Sequence, residues 1–235
     1  MVTSAIVTPP GVAAALAVLV LMVTSTTSSA RSADTPAVSP KIALARLMSG
    51  NQRFEEGTTR HPGQDPARRV ALAASQSPFA VILACSDSRV TPEIVFDQGL
   101  GDLFVIRVAG NTLTRAGLES IDYAVEHLGS SLIVVMGHDS CGAVTGAVRE
   151  CPRADEKSAA GLPEIFSNIC PAVKRARKAS GDVVSDAIDL NVADQVAALK
   201  RAPRFAQRVK DGRLMIVGAR YELHTGRVRI LPAND

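Results

Sequence analysis

The sequence predicts an α/β fold: a mainly parallel central β-sheet flanked by helices. Two observations carry this prediction. Three predominantly apolar runs of strand length, Phe79–Ala84 (FAVILA), Leu103–Val108 (LFVIRV) and Leu132–Met136 (LIVVM), alternate with segments whose apolar residues recur every three or four positions. That alternation builds parallel strands joined by helical crossovers. The runs are also apolar at successive positions rather than at every second one, as required of strands covered on both faces.

The elements follow in order. Val12–Val23 (VAAALAVLVLMV) is unbroken apolar sequence, shorter than the roughly 18–20 residues that span a bilayer but of the length of a signal-peptide core. Ser28 and Ala30 supply small residues for a cleavage site, whereas Met1–Gly11 carries no Lys or Arg. Residues 1–30 are therefore expected to be a signal peptide and the protein exported, periplasmic or secreted. An uncleaved tail or a misassigned start, with a cytoplasmic protein, is the alternative. Residues 31–40 form a polar, Pro-containing linker, and residues 41–235 the folded domain. Lys41–Glu55 places Ile42, Leu44, Leu47 and Phe54 on one helical face, interrupted at Gly50, which predicts one opening helix or two short ones. Ala116–Leu128 repeats Leu118, Ile121, Val125 and Leu128 and stops at Gly129. Cys151–Asp182 shows no clear pattern. A helix over about Ser185–Lys200 precedes a fourth strand, Leu214–Val217, and Val228–Leu231 adds an antiparallel edge after the Thr225-Gly226 turn.

Composition narrows the function. Aromatics are 3% and Trp is absent, so the core is built from Ala, Val, Ile and Leu. A formal charge of +3 is too small to argue for a polyanionic partner. The densest basic run, Lys174–Lys178, lacks aromatics that could stack on bases and reads as a solvated helix face, so no nucleic-acid partner is expected. Four cysteines, at 85, 141, 151 and 170, include no C-x-x-C pair, which removes zinc-ribbon and thioredoxin motifs.

Two polar clusters each follow an apolar strand: Cys85-Ser86-Asp87-Ser88-Arg89 and His138-Asp139-Ser140-Cys141-Gly142. In a parallel sheet both lie at the carboxyl edge, where α/β proteins place ligands. Two thiolates and one imidazole form a catalytic zinc set that leaves the fourth position for water. The spacing by itself is more often that of a helix-cap His and a buried Cys. Asp87 and Arg89, two apart in an extended segment, can pair on one side, as a structural salt bridge or as a device beside a metal.

At this point the residues resemble a family. CSDSRV (Cys85–Val90), RVAGNT (Arg107–Thr112), IDYAVEHLG (Ile121–Gly129), HDSC and the C-terminal GARYELHTGRV (Gly218–Val228) are similar, in order and separation, to β-class carbonic anhydrases. The resemblance implies Zn2+ on Cys85, His138 and Cys141, with Asp87 and Arg89 as a dyad beside it. In that family the aspartate is a fourth ligand in a closed form, and pairing with arginine frees the position for water. It further implies that Gln76, Phe104, Ala109 and Tyr123 line a substrate pocket at a subunit interface, in a homodimer or homotetramer. Ile82 and Ala84 stand where the allosteric branch carries Trp and Gly, so the chain resembles the non-allosteric branch.

The activity implied is reversible hydration of carbon dioxide to bicarbonate and a proton. Two thiolates cancel the formal charge of zinc and make it a weaker acidifier than three neutral histidines would. Asp87, held by Arg89, is expected to orient the nucleophile, Gln76 to donate to a substrate oxygen, and Phe104 with Ala109 to keep that side apolar. Hydrolysis of carbonyl sulfide or carbon disulfide at the same site is the nearest alternative. A non-enzymatic zinc-binding protein is disfavoured because a structural site is closed by a fourth Cys or His. A dithiol redox role lacks its motif. His127 reads as a helix cap or packing residue, while His61 and His224 have no assigned partners. Cys151 and Cys170 either pair as a disulfide or remain free thiols.

Overall fold

The computed structural model describes residues 38–152 and 163–232. The signal-peptide reading and most of the linker lie outside the described residues. Five strands make one sheet: β1 (Ala80–Ala84), β2 (Leu103–Arg107), β3 (Leu132–His138), β4 (Met215–Tyr221) and β5 (Val228–Ile230). Their spatial order is β2-β1-β3-β4-β5, with the first four parallel and β5 antiparallel to β4. β1 and β3 are buried at every position, as their unbroken apolar sequences require. β2 has the same composition but sits at the edge, and its residues are half-exposed or exposed.

Eight α-helices surround the sheet among the described residues: α1 (Pro40–Glu55), α2 (Pro66–Leu72), α3 (Pro92–Val95), α4 (Arg115–Glu126), α5 (Gly142–Glu150), α6 (Glu164–Ala176), α7 (Val183–Arg201) and α8 (Pro203–Lys210). On one face Ala43 and Leu47 of α1 pack against Ala80, Ile82, Ala84, Leu132, Val134 and Met136. On the other, Ile121 and Val125 of α4, Val192 and Leu199 of α7, and Phe205 of α8 cover Val81, Leu83, Ile133 and Val135. The alternating side chains of each central strand thus feed two separate cores. A third cluster, from α5, α6 and the start of α7, encloses Cys85 and Cys141 at the carboxyl edge.

The structure corrects three expectations. α1 begins at Pro40 and runs through Gly50 without a break. A Cβ at Gly50 would stand 1.8 Å from the Phe96 carbonyl oxygen, so this glycine allows close approach rather than ending the helix. The unpatterned stretch after Cys151 contains α6. Ile169, Cys170, Ala172, Val173 and Ala176 form its buried side, and Pro171 interrupts the pattern from an exposed position within the helix. Finally, the basic run Lys174–Lys178 is not simply solvated. Arg175 pairs with Asp194, and Arg177 donates to the carbonyls of Val148, Cys151 and Pro152 at the end of α5. A guanidinium there satisfies carbonyls that the helix leaves without partners.

Behind the sheet edge, Asp97 holds a turn with its carboxylate. It accepts hydrogen bonds from the amides of Arg60 and His61 and from Arg53 Nε at 2.6 Å, with its side chain 1% exposed. Burial alone would raise its pKa, but the donors at Arg60, Arg53 and His61 outweigh it and the net shift is downward. A carboxyl whose folded pKa lies below its unfolded value stabilises the fold above the ordinary aspartate range and loses that contribution as pH falls through the folded pKa. Asp97→Asn is therefore expected to destabilise the protein by about 2 kcal/mol at pH 7. Urea unfolding should show the gap to wild type closing below about pH 4, whereas a gap constant from pH 7 to pH 3 would contradict this role.

Candidate metal centre

Cys85 is the first residue past β1 and His138 the last of β3, so two paired parallel strands deliver them to the same edge of the sheet. After His138 the chain turns through Ser140, whose φ of 52° is in the left-handed region, and Cys141 becomes the N-cap of α5. That turn brings Cys141 back toward His138. The ligand atoms of Cys85, His138 and Cys141 all lie within 4.8 Å of one another, and all three residues are buried.

Their surroundings fit a cation. His138 is fully buried, and its Nδ1 lies 2.8 Å from the Asp139 carbonyl oxygen. A carbonyl can only accept, so Nδ1 carries the proton and the lone pair is on Nε2. Nε2 is buried with no hydrogen-bond partner, as expected of a nitrogen placed to bind a metal. The Cys85 thiol is held well below its ordinary value, first by its hydrogen bond with Cys141, against the effect of burial, and further by His138 and the amides of Asp87 and Gly110. Cys141 is pushed up by the same pairing and by burial, opposed by the amides of Val144 and Ala143. Both sulfurs are buried beside the imidazole, and a divalent cation that takes them as thiolates displaces their protons.

Asp87 borders this cluster, with Oδ2 3.9 Å from His138 Nε2. Arg89 grips the carboxylate with Nε on Oδ1 at 2.9 Å and an Nη2 on Oδ2 at 2.7 Å, and its own amide adds a third bond. These bonds, led by the guanidinium, hold the Asp87 carboxyl far below the usual range. The same guanidinium reaches the Ser140 carbonyl at 3.3 Å, tying the first cysteine loop to the second.

Several contributors lie inside the matched motifs RVAGNT and HDSC, but the sequence assigned them no role. Arg107 donates to the carbonyls of Cys85 and Asp87, bracing the first loop from the end of β2. Asp139 accepts from the Leu223 amide and lies 3.6 Å from Arg220, fastening the second loop to the end of β4. Gly110 directs its N–H at Cys85 Sγ, 3.2 Å away. This places the adjacent Ala109 at the centre.

The other residues expected to line a pocket lie away from this cluster in the same chain. Phe104 pairs with Val81, four residues short of Cys85, or about 13 Å along the strand. Tyr123 is 48% exposed and stacks obliquely on Phe104, with centroids 6.4 Å apart. Gln76 is exposed ahead of β1, at the opposite end of that strand from Cys85. His127 caps α4 and packs its ring on Tyr123, while His61 and His224 are exposed. An apolar cleft of about 440 Å³ between α7 and β4 contains neither Cys nor His.

The remaining cysteines are joined: Cys151 and Cys170 form a disulfide with Cα atoms 5.6 Å apart. It links the C-cap of α5, the helix whose N-cap is Cys141, to α6.

Comparison with known proteins agrees with this geometry. The carbonic anhydrase family model matches residues 80–228. Carbonic anhydrase 2 of Mycobacterium tuberculosis is 42% identical over 194 residues, covering 82% of this chain and 93% of the relative. A carbonic anhydrase of Mycolicibacterium smegmatis is 41% identical, with 83% and 95% covered. Among solved structures, the β-carbonic anhydrase CcaA superposes with a TM-score of 0.62 at 28% identity, over 80% of this chain and 95% of its own.

The two cysteine pairs are expected to separate experimentally. Replacing Cys151 and Cys170 together by serine should cost about 3 kcal/mol, on the loop-entropy argument, while leaving the bound metal unchanged. Denaturant unfolding with metal analysis checks this, and loss of metal in the folded double variant would contradict it.

Proposed function

This chain belongs to the β-class carbonic anhydrase family, and we propose that it hydrates carbon dioxide reversibly to bicarbonate and a proton at a zinc ion held by Cys85, His138 and Cys141. The observation that carries this reading is the buried, unpartnered Nε2 of His138 facing two thiols beside an Asp87 locked in a bidentate pair. Zinc held there would supply an activated water nucleophile near neutral pH.

The chain's own residues do the rest. Arg89 occupies both oxygens of Asp87, so the carboxylate is held back from the fourth ligand position of a closed form. From there Asp87 accepts a hydrogen bond from the nucleophile and aims it, which is positioning rather than binding. Ala109 lines the approach with a methyl group, suited to an uncharged linear molecule. Gln76, Phe104 and Tyr123 are too far along the sheet to serve their own centre. We assign them to the centre of a second copy, reached across the exposed β2 edge in a homodimer or a larger homo-oligomer. The half-exposed strand residues and Tyr123 support that reading.

Stopped-flow hydration with zinc quantification tests the function. Asp87→Asn should keep its zinc and lose about 100-fold in rate, Cys85→Ser should lose the zinc itself, and Gln76→Ala should lose about tenfold, the worth of one hydrogen bond, with zinc intact. Zinc-replete Asp87→Asn at a near-normal rate would remove Asp87 from the mechanism. A zinc-replete wild type that releases sulfide from carbon disulfide but does not hydrate carbon dioxide would transfer the assignment to the sulfur analogue.

We also propose that the protein is exported. Two features support this: the apolar run Val12–Val23, and the Cys151–Cys170 disulfide, of a kind that persists in oxidising compartments. Mass spectrometry of the mature protein should find an N-terminus near Arg31. An intact Met1 in a cytosolic fraction would contradict export.

A further inference from the structure

Building on the zinc reading, we propose that Asn191 and Gln195 of α7 are positioning residues for the metal centre. Acting through Gly110, they hold a backbone N–H against the Cys85 sulfur.

Two primary amides stand on the inward face of α7, Asn191 at 0% and Gln195 at 7% exposure, where the helix otherwise presents Val192 and Leu199 to the sheet. Burying an amide in an apolar layer is costly unless it is hydrogen-bonded. These two are bonded head to tail. The Leu113 amide donates to Gln195 Oε1 at 3.0 Å, Gln195 Nε2 donates to Asn191 Oδ1 at 3.0 Å, and Asn191 Nδ2 donates to the Gly110 carbonyl at 2.8 Å. Each amide accepts and donates in the same sense, so each polarises the next. The series ends on the one residue of that loop whose N–H points at Cys85 Sγ.

Gly110 needs such an anchor. It and Asn111 are consecutive left-handed residues, with φ of 68° and 45°, a conformation that glycine adopts freely and asparagine more readily than other side-chain-bearing residues. A Cβ on Gly110 would lie 2.7 Å from Ile169 Cδ1 and 3.2 Å from Ala143 Cβ, so Gly110 is pressed between α6 and α5 and has no side chain of its own to fix it. Asn191 fixes it through the carbonyl, and the N–H is thereby left directed at sulfur.

The consequence is electronic. Two thiolates donate enough charge to blunt zinc as a Lewis acid, and hydrogen bonds to a ligating sulfur withdraw part of it. Cys85 accepts two, from Gly110 and, at 3.4 Å, from Asp87. α7 therefore helps to set the acidity of the centre without touching metal or substrate.

Nuclear magnetic resonance of the cadmium-113 protein tests each link in the wild type. Scalar coupling is expected between cadmium and the Gly110 amide proton, and across the hydrogen bond from Asn191 Nδ2 to the Gly110 carbonyl carbon. In Asn191→Leu and Gln195→Met the cadmium coupling should weaken or vanish. The thiolate-to-metal band of the cobalt(II) forms should move to longer wavelength, and zinc loss to a chelator should accelerate about tenfold. Absence of either coupling in cadmium-loaded wild type overturns the inference, whether or not the variants fold. So do folded variants with unchanged coupling and spectrum. A wild type that takes up no cadmium on Cys85 and Cys141 overturns the zinc reading itself.

Discussion

Two thiols and an imidazole buried within 4.8 Å of one another are an unfavourable arrangement without a cation, because polar groups taken out of water need partners and His138 Nε2 has no hydrogen-bond partner. Much of the surrounding structure makes sense as an answer to that constraint. The parallel pairing of β1 with β3 sets Cys85 and His138 at one edge, and the turn through Ser140 returns Cys141 to them. Arg107 and Arg89 spend their donors on loop carbonyls and on Asp87 rather than on the sulfurs. The site is thereby held open and electrically asymmetric: anionic sulfur on one side, an Asp87 already committed to Arg89 on the other.

The parts of this that were legible in the sequence are those in which a residue's chemistry and its place on an element coincide. β1 and β3 are apolar on both faces, and the ligands follow their ends, so fold class and metal set could be read together. α6 escaped because Pro171 breaks a helical pattern that is otherwise regular, its ring facing outward where the missing N–H is tolerated. Gly50 misled in the opposite sense, since a glycine selected for close contact with the Phe96 carbonyl looks identical to one that stops a helix. The roles of Arg107, Asn191 and Gln195 were invisible for a further reason. Their partners are backbone carbonyls and amides brought near by tertiary folding, and a backbone group has the same sequence signature everywhere.

The two pairs of cysteines are kept chemically apart by the same helices that hold them. α5 begins at Cys141 and ends at Cys151, and only the far end is closed in a disulfide to α6. In an oxidising compartment that partition matters, since four thiols allow three full pairings: two would tie each ligating sulfur to Cys151 or Cys170, and the third would add a Cys85–Cys141 bond to the observed disulfide. Zinc on Cys85 and Cys141 would protect them, while Cys151 and Cys170 close without disturbing the centre. Of the remaining residues expected to line a pocket, Phe104 and Tyr123 meet on the exposed β2 side of the sheet, while Gln76 lies ahead of β1.

The central claim is that this edge holds zinc through two sulfurs and one histidine nitrogen, with Asp87 kept off the metal by Arg89. X-ray absorption at the zinc edge of the purified protein tests it most directly. The account predicts two sulfurs at about 2.3 Å and two light atoms at about 2.0–2.1 Å, with the same shell when Asp87 is replaced by asparagine. A shell of four sulfurs, or one without sulfur, would contradict it. So would loss of a light-atom ligand in Asp87→Asn.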